Sequence, residues 1–461
     1  MASVKIHFNN VIFILLATVI AIFPALYNNF PLVTPDSGAY VSKGMALSLP
    51  IDRPITYSVF IVLTSLGLSL WYVIAAQGLL FALLVRRLCV KILKVNPTNP
   101  IVLAITAIVS FGTQAAWFTA QLSPDAFTGL FLITILLFFI EDKDNSKANR
   151  ALKLLITVFM LIHYSHILMS ILLAVMLWVY HRFKNTKLNF SKIKALGIIA
   201  LACYGAISTV NLIAGRGFTL SPASHIFMMS RMAENGILDK YLADKCPTEH
   251  FEMCNYQGKT GNRQWEFMWM GDFPHVKKGW LDKDVKREYN SIILGTLTSP
   301  KYLAMHVTKA TDATFRQLTQ LYIGDGLLPQ SEGSTPYGAV RNFFPYQLKE
   351  YSASLQANNQ LPISMFNVVI FVSCSMILLA FLFFAGKYKS DFSDKAPIDW
   401  HSIFVVLILF LLINAFVTAN FSTVIARLQA RAFWVLPFVC LLHCMHHLLP
   451  SCEVPRTRIE K

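Results

Sequence analysis

Aspartates and arginines beside apolar segments are the residues of this chain whose types and spacing suit chemistry. Asp36 begins a short predicted helix, and Tyr40 lies one turn later on the same face. An aspartate in this position can act as a general base that takes a proton from a hydroxyl group. It can also cap the helix, so the sequence leaves a catalytic and a structural role open.

Further charged residues extend this set. Asp125 starts an apolar segment, where capping of a helix is again the alternative to chemistry. Arg427 and Arg431 are one helical turn apart, so both can face one phosphate group, which the planar guanidinium matches well. Extension of both charges toward a membrane surface is the alternative. Arg53 is a similar candidate, although pairing with Asp52 competes for it.

Two histidines lie near the middle of the apolar sequence. His163 and His166 are suited to bind a phosphate, an acceptor or a metal ion, and hydrogen-bonded histidines inside a helix bundle are the alternative. Near the C-terminus, His443, His446 and His447 are predicted at a cytoplasmic membrane surface rather than in a catalytic site.

The composition places all these residues in a membrane protein. Apolar residues make up 55% of the 461 residues and charged residues only 14%, against about 25% in a soluble domain. The net charge of +15 does not indicate nucleic-acid binding, because the basic residues cluster beside apolar segments.

We therefore predict an all-α polytopic membrane protein with about ten spans, each near 20 residues long. The candidate spans are 11–27, 70–86, 98–117, 124–140, 153–163, 165–181, 195–214, 362–386, 400–419 and 432–449. The apolar residues 56–69 are predicted as an interfacial or re-entrant helix. The stretch 153–181 is either one long tilted helix or two short helices that meet at His163.

Three regions follow from this pattern. Residues 1–214 form an N-terminal membrane module, 215–361 a soluble cap domain, and 362–461 a C-terminal membrane module with a short cytoplasmic tail. Within the cap, 224–245 and 286–321 have helical periodicity, and a proline interrupts the second stretch.

The lysines and arginines predict the orientation. With the N-terminus in the cytoplasm, the inside segments contain 20 of these residues and the short outside loops contain four. Both termini are then cytoplasmic, and 28–55 and 215–361 lie outside. The basic run in 182–194 stays inside only if 153–181 forms two helices.

Cysteine usage agrees with this orientation. Cys246 and Cys254 lie in the outer region, where an oxidising compartment permits a disulfide between them. Two free thiols, or a metal site with His250 and His275, are the alternatives. A bacterial inner membrane with an oxidising outer face is the favoured location, and an ER membrane is the alternative.

The outer-face residues resemble the GT-C superfamily of polyprenyl-phosphate-dependent glycosyltransferases, which includes protein mannosyltransferases and aminoarabinose transferases. In that family the first outer loop carries an acidic residue with a tyrosine one turn later, as Asp36 and Tyr40 do here. An Arg-Pro element with a nearby tyrosine precedes the second span, as Arg53 and Tyr57 do.

The resemblance extends to later segments. The family commonly has a second acidic residue between the third and fourth spans, and Asp125 occupies that place here. A late span of the family often begins with a basic residue, as Arg427 and Arg431 do here. The chain departs from the family by having one aspartate at 36 instead of an adjacent acidic pair, which leaves the participation of a divalent metal open. Its large loop also lies between the seventh and eighth predicted spans rather than at the C-terminus.

The resemblance implies transfer of a sugar from a polyprenyl-phosphate donor to a glycan, lipid or protein acceptor of the cell envelope. It implies catalytic roles for Asp36 and Asp125. The residues implied in substrate binding are Tyr40, Arg53, Tyr57, His163, His166, Arg427 and Arg431. No cofactor other than the possible metal is expected.

Two other functions remain as alternatives. One is a transporter or flippase for a lipid-linked or anionic substrate, and the other is a non-catalytic assembly protein of the membrane. The small number of ionisable residues at mid-membrane depth and the lack of a visible repeat both count against a transporter.

Overall fold

A computed structural model describes residues 2–184, 188–261, 263–392 and 398–449. Within these ranges the chain is helical, and the only strand-like pairing is an isolated bridge between Leu32 and Gln121. The predicted all-α fold is thereby confirmed. The predicted cytoplasmic tail beyond residue 449 and part of the basic run 182–194 lie outside the described residues.

Among the described helices, six are long and apolar enough to cross a membrane, so the chain is an integral membrane protein. They are Leu70–Leu93, Tyr164–Phe183, Phe190–Ile213, Ile363–Lys387, Trp400–Phe421 and Ala426–Leu448. Shorter apolar helices are Asn9–Ala21, Thr56–Ser65, Pro100–Gly112 and Ala126–Ile140. The predicted count of about ten spans includes helices of this shorter kind.

The N-terminal module is a succession of helices with short connections. They are α1 (Ala2–Ala21), α2 (Phe23–Asn28), α3 (Ser37–Met45), α4 (Thr56–Ser65), α5 (Leu70–Leu93), α6 (Pro100–Gly112), α7 (Ala115–Thr119), α8 (Ala126–Ile140), α9 (Ser146–Ile162), α10 (Tyr164–Phe183) and α11 (Phe190–Ile213). Polar side chains start several of them by accepting hydrogen bonds from free backbone amides, as Ser69, Asn99, Asn145 and Asn189 do.

The outer region continues with shorter helices. They are α12 (Ser224–Glu234), α13 (Ile237–Lys245), α14 (Gln264–Trp269), α15 (Pro274–Lys278), α16 (Lys283–Thr298), α17 (Pro300–Leu318), α18 (Thr335–Phe343) and α19 (Leu348–Ala353). As predicted, a proline separates α16 from α17, because its ring starts a new helix at Pro300. A disulfide joins Cys246 and Cys254, whose Cα atoms are 5.7 Å apart.

The region predicted as one cap domain, 215–361, is divided in the structure. Buried side chains between Ile226 and Tyr302 form a hydrophobic core of their own. Buried side chains between Ile323 and Tyr351 instead belong to the main core of the bundle. The late part of 215–361 therefore packs together with the main bundle.

The C-terminal module consists of α20 (Ile363–Lys387), α21 (Trp400–Phe421), α22 (Ala426–Phe433) and α23 (Val435–Leu448). A 3-10 turn, Lys389–Phe392, follows α20. Helix α20 is the least buried of the six long apolar helices, whereas α21 to α23 are mostly enclosed by their neighbours.

Ion pairs mark the two ends of the bundle. At one end, Asp125 before α8 pairs with Arg431 on α22. At the other, Glu141 after α8 accepts a hydrogen bond from Lys91 at 3.0 Å, and Lys192 donates to the Glu141 carbonyl. We call these the cavity end and the opposite end.

The predicted break in 153–181 lies at His163, whose extended backbone (φ −142°, ψ 125°) separates α9 from α10. Helix α9 starts at the opposite end, where Asn145 caps it, and ends at His163, 3.3 Å from Arg431. Helix α10 then returns, since the ring of His181 stacks on Phe190 at the start of α11. The stretch therefore forms two antiparallel helices.

A close approach of α18 to α3 fixes the loop that carries Asp36. A Cβ atom on Gly38 would lie 2.2 Å from the Thr335 backbone, so only glycine fits at this position. The Thr335 hydroxyl also donates to the Pro35 carbonyl at 2.6 Å. The segment around Thr335 thereby holds the loop before α3 in place.

Candidate active site at the cavity end

The Asp36 carboxylate joins two arginines from distant parts of the chain. It precedes α3, but its side chain makes no capping hydrogen bond. Arg427 donates to it at 2.8 Å and Arg53 at 3.2 Å. Of the two roles open in the sequence, helix capping is absent from the structure, and the role of general base stays a prediction.

Arg53 is held by three partners at once. It donates to Asp52 at 2.6 Å as well as to Asp36, so the two predicted pairings coexist. Its guanidinium carbon also lies 4.8 Å from the centre of the Tyr40 ring, in a cation–π contact. Tyr40 therefore positions Arg53 from the neighbouring turn of α3.

Asp125 forms a second, more deeply buried pair. Its side chain does not cap α8 and instead accepts a hydrogen bond from Arg431. Arg431 is fully enclosed, with a side-chain exposure of 0%, and it also lies 3.3 Å from His163 Nε2 and 3.4 Å from the Ser165 hydroxyl. Arg431 consequently holds Asp125 in position, and its guanidinium is already engaged by these partners at the edge of the cavity.

Arg427 connects the two pairs. Its Nε atom is 4.0 Å from Asp125, while its Nη2 atom binds Asp36. With 20% of its side chain exposed, it is more accessible than Arg431. Of the two arginines predicted to contact a phosphate, Arg427 is the one that a ligand can reach.

The arginines determine the ionisation of Asp36. Burial raises the pKa of this carboxyl, but the charges and hydrogen bonds of Arg427 and Arg53 outweigh burial and lower the pKa to about 2. Asp36 is therefore ionised at neutral pH. While both arginines remain in contact with it, the carboxylate is a weak base, since a good general base has a pKa near the working pH.

These groups line a cavity of about 610 Å³ between the bundle and the outer helices α12 and α16. Its charged floor contains Asp36, Asp52, Arg53, Asp125, Arg427 and Arg431. Its apolar wall contains Leu168, Phe227, Met228, Ile293, Val417 and Phe421. The cavity thus offers an ionic surface and a hydrophobic surface to the same ligand.

The three carboxylates and three guanidinium groups of this floor balance in charge, so the fit of a ligand depends on which of them it can engage. Each carboxylate already faces a guanidinium group, and Asp36 faces two. A metal ion would have to compete with these arginines and would be repelled by them. An anion can instead recruit the guanidinium donors of Arg427 and Arg53.

Two predicted binding residues lie away from the cavity. The Tyr57 hydroxyl donates to the Gln77 side chain at 2.9 Å inside the core. His166 contacts the Thr128 hydroxyl at 3.0 Å and the Phe159 carbonyl at 2.7 Å, so both ring nitrogens have partners. Neither residue lines the cavity. His166 is a hydrogen-bonded histidine inside the helix bundle, which was the alternative to a binding role.

Several cavity-lining polar residues were not predicted as site residues. Tyr164 and Ser165 follow His163, and their place at the turn between α9 and α10 is the signal that could have identified them. Asn420 also lines the cavity, and its polar side chain near the end of the apolar helix α21 could have identified it in the same way. Asn290 lies on α16 and has no sequence signal that connects it with the membrane residues.

Comparisons with known proteins found no match, so a functional conclusion rests on the geometry of the cavity. No family model matches this chain, and no curated protein or solved structure matches it. The arrangement of Asp36, Asp125 and Arg427 around one cavity is the observation on which the following proposal is built.

Proposed function

We propose that this chain is a membrane glycosyltransferase of the GT-C type. It would transfer a sugar from a polyprenyl-phosphate donor to a hydroxyl of a glycan, lipid or protein at the outer membrane face. The observation that carries this proposal is the cavity in which Asp36 meets Arg427 and Arg53 beside an apolar wall. A carboxylate, phosphate-binding groups and a lipid-compatible surface are the three components that such a reaction needs.

The donor fits the two surfaces of the cavity. Its isoprenoid chain is apolar and suits the wall that includes Leu168 and Phe421. Its phosphate is anionic and suits the accessible guanidinium of Arg427, which offers several donors in one plane. A soluble sugar nucleotide would leave the apolar wall without a partner.

The reaction requires a base and a stabilised leaving group. A bond forms between the acceptor oxygen and the anomeric carbon while the bond from that carbon to the phosphate oxygen breaks. Asp36 would receive the acceptor proton, and the departing polyprenyl phosphate would gain one negative charge. Arg427 and Arg53 would stabilise that charge as it develops. Inversion at the anomeric carbon is implied by the family resemblance.

The ion pairs would also control when Asp36 acts. In the absence of donor, Arg427 and Arg53 keep its pKa at about 2. A donor phosphate that draws these arginines away would raise that pKa, because burial would then act with less opposition. Asp36 would become a stronger base only when the donor is bound.

We further propose about ten spans, both termini in the cytoplasm of a bacterial cell and the cavity end outside. The spans would comprise the six long apolar helices, α1, α6, α8 and α9. Two observations support this arrangement. Helices α9 and α10 are antiparallel, and the opposite end contains Arg87, Lys91 and Lys192, as expected for a cytoplasmic surface.

A transfer assay tests this function. The full chain, purified and placed in lipid nanodiscs, is incubated with radiolabelled polyprenyl-phosphate sugars and a mixture of envelope glycans, lipids and peptides. We expect label to enter an acceptor with at least one donor. In parallel, the protein is placed in liposomes that carry the same donors. Movement of a donor across the bilayer without any glycosylated product would contradict the proposal and favour the flippase alternative.

A further inference from the structure

Three potential metal ligands meet at the opposite end of the bundle. Asp391, His443 and His447 each offer one ligand atom, and these atoms all lie within 4.8 Å of one another. The Asp391 Oδ2 atom is 3.0 Å from His443 Nε2 and 2.5 Å from His447 Nε2. We propose that these side chains bind a divalent transition-metal ion of the zinc class.

Local structure brings the ligands together. His443 and His447 are four residues apart on α23, so they project from the same face of the helix. Asp391 lies in the 3-10 turn that follows α20 and reaches across to that face. The ring of His447 is also stacked on Tyr388, with centroids 3.9 Å apart, which fixes its orientation. The site is therefore built from two elements of the fold, α23 and the turn after α20.

His443 supplies an independent indication of a ligand. Its side chain is fully buried, and within the described part of the chain neither ring nitrogen makes a hydrogen bond. A buried polar group without a partner destabilises the folded state, so such groups are rare in folded proteins. The Nε2 atom faces Asp391 at 3.0 Å but outside hydrogen-bonding geometry. Coordination of a common ion by Nε2 and by Asp391 would give this nitrogen a partner.

A hydrogen-bonded pair alone does not explain this cluster. The contact between His447 and Asp391 has hydrogen-bond geometry and would account for those two residues. It leaves His443 buried beside the same carboxylate oxygen without a bond of its own. An ion accounts for all three side chains at once.

The ligand types select the ion. Two imidazole nitrogens and one carboxylate oxygen suit zinc and related transition metals, whereas magnesium and calcium prefer oxygen ligands alone. Water would complete a tetrahedral shell around zinc. At 1.5 Å per residue, His443 lies about 18 Å along the helix from Arg431, so this site is separate from the proposed glycosyl-transfer cavity. A bound ion would fasten the turn after α20 to α23.

Metal titration tests the proposal. The full chain is purified with an affinity tag that contains no histidine, stripped with a chelator, and titrated with Co²⁺ while the visible d–d absorption is recorded. Zinc content after reloading is measured by mass spectrometry. Because a three-ligand protein site with water is expected to hold one ion, we expect about one metal per chain in the wild type.

Matched variants locate the binding. His443→Gln and Asp391→Asn should lower the metal content to background and abolish the cobalt spectrum. His446→Gln changes a histidine on the same helix that is outside the cluster, and it should leave both unchanged. If His443→Gln fails to fold, the metal content and cobalt spectrum of Asp391→Asn decide whether the ion binds at this cluster. Absence of metal from the wild type, or full binding by Asp391→Asn, would overturn the proposal.

Discussion

Arg427 donates a hydrogen bond to Asp36 over 2.8 Å, although the two residues are 391 positions apart in the sequence. The contact joins the first outer loop to the helix that begins the last membrane segment. Arg431 repeats this connection one turn later by binding Asp125. The candidate active site therefore exists only where the N-terminal and C-terminal modules meet.

Replacement of the candidate base tests its catalytic role. Asp36→Asn preserves side-chain size but cannot accept a proton, so transfer should fall by about 100- to 10,000-fold. The variant should still fold, because Arg53 keeps Asp52 as a partner, but it should be less stable than wild type, because Arg427 loses the Asp36 charge. The measurement combines the transfer assay with thermal unfolding.

Asp282→Asn is the matched control for this change. Asp282 caps α16 by accepting hydrogen bonds from two backbone amides, a role that asparagine fills as well. The Asp282→Asn variant should match wild type in both activity and stability. Full activity in Asp36→Asn would show that this residue positions Arg427 and is not the base.

The pH dependence of stability tests the pairing of Asp36 with Arg427. Because the folded pKa of Asp36 is lowered from 3.8 to about 2, its ion pairs stabilise the fold above pH 3.8, and that stabilisation is lost as the pH falls toward 2. Arg427→Gln removes one partner. Its destabilisation relative to wild type should therefore be largest near neutral pH and shrink as Asp36 becomes protonated.

Thermal unfolding in detergent between pH 7 and pH 3, followed by tryptophan fluorescence, measures this effect. Arg287→Gln is the control, since Arg287 pairs with Asp284 on an exposed surface where little stabilisation is expected. A constant difference between Arg427→Gln and wild type across the acid range would contradict the pairing.

The buried pair of Asp125 and Arg431 should matter more for stability. Both side chains are almost completely enclosed, and loss of one partner from a buried pair costs about 3–5 kcal/mol because the other charge remains uncompensated. We expect Arg431→Gln or Asp125→Asn to destabilise the protein strongly, and the double variant to be less destabilised than the sum of the two.

A double-mutant cycle measured by thermal unfolding gives the coupling between these residues. Asp142→Asn is a suitable control, because that carboxylate is mostly exposed at the opposite end. Additive effects of the two substitutions would show that Asp125 and Arg431 do not interact in the folded protein.

The sequence identified the charged residues of this site but not their pairing. Asp36, Asp125 and Arg427 stand out because charges beside apolar segments are costly and are therefore retained for a purpose. Nothing in the sequence shows that Asp36 binds Arg427 as well as Arg53, which is nearer in the sequence. That contact depends on how the two modules pack. Helix capping was an equally reasonable expectation for both aspartates.

Neighbouring residues of the same type can have different partners. The rings of His163 and His166 are 5.3 Å apart, yet His163 reaches Arg431 from the start of α10, while His166 is bonded to Thr128 on α8 and to the Phe159 carbonyl on α9. The break between α9 and α10 was predicted, because the basic residues after it favour a return to the side on which the other basic segments were placed. The partners of each histidine could not be predicted, because they depend on how the helices pack in the bundle.

Reporter fusions test the proposed topology. Fusions after Lys94, Arg150, Lys187 and Lys389 should report a cytoplasmic location, because each follows a segment rich in basic residues. Fusions within 215–361 should report the outside. An external signal after Lys187 would mean that 153–181 crosses the membrane once, contrary to the antiparallel arrangement of α9 and α10.

The pairing of Asp125 with Arg431 also has a consequence for biosynthesis. The two residues are separated by 306 positions, which a ribosome takes about 15–60 s to cover at about 5–20 residues per second. Throughout that interval the emerging N-terminal helices carry a carboxylate whose partner has not been made. The half-built bundle therefore carries this carboxylate without its partner, and the buried pair is completed only after Arg431 has been synthesised.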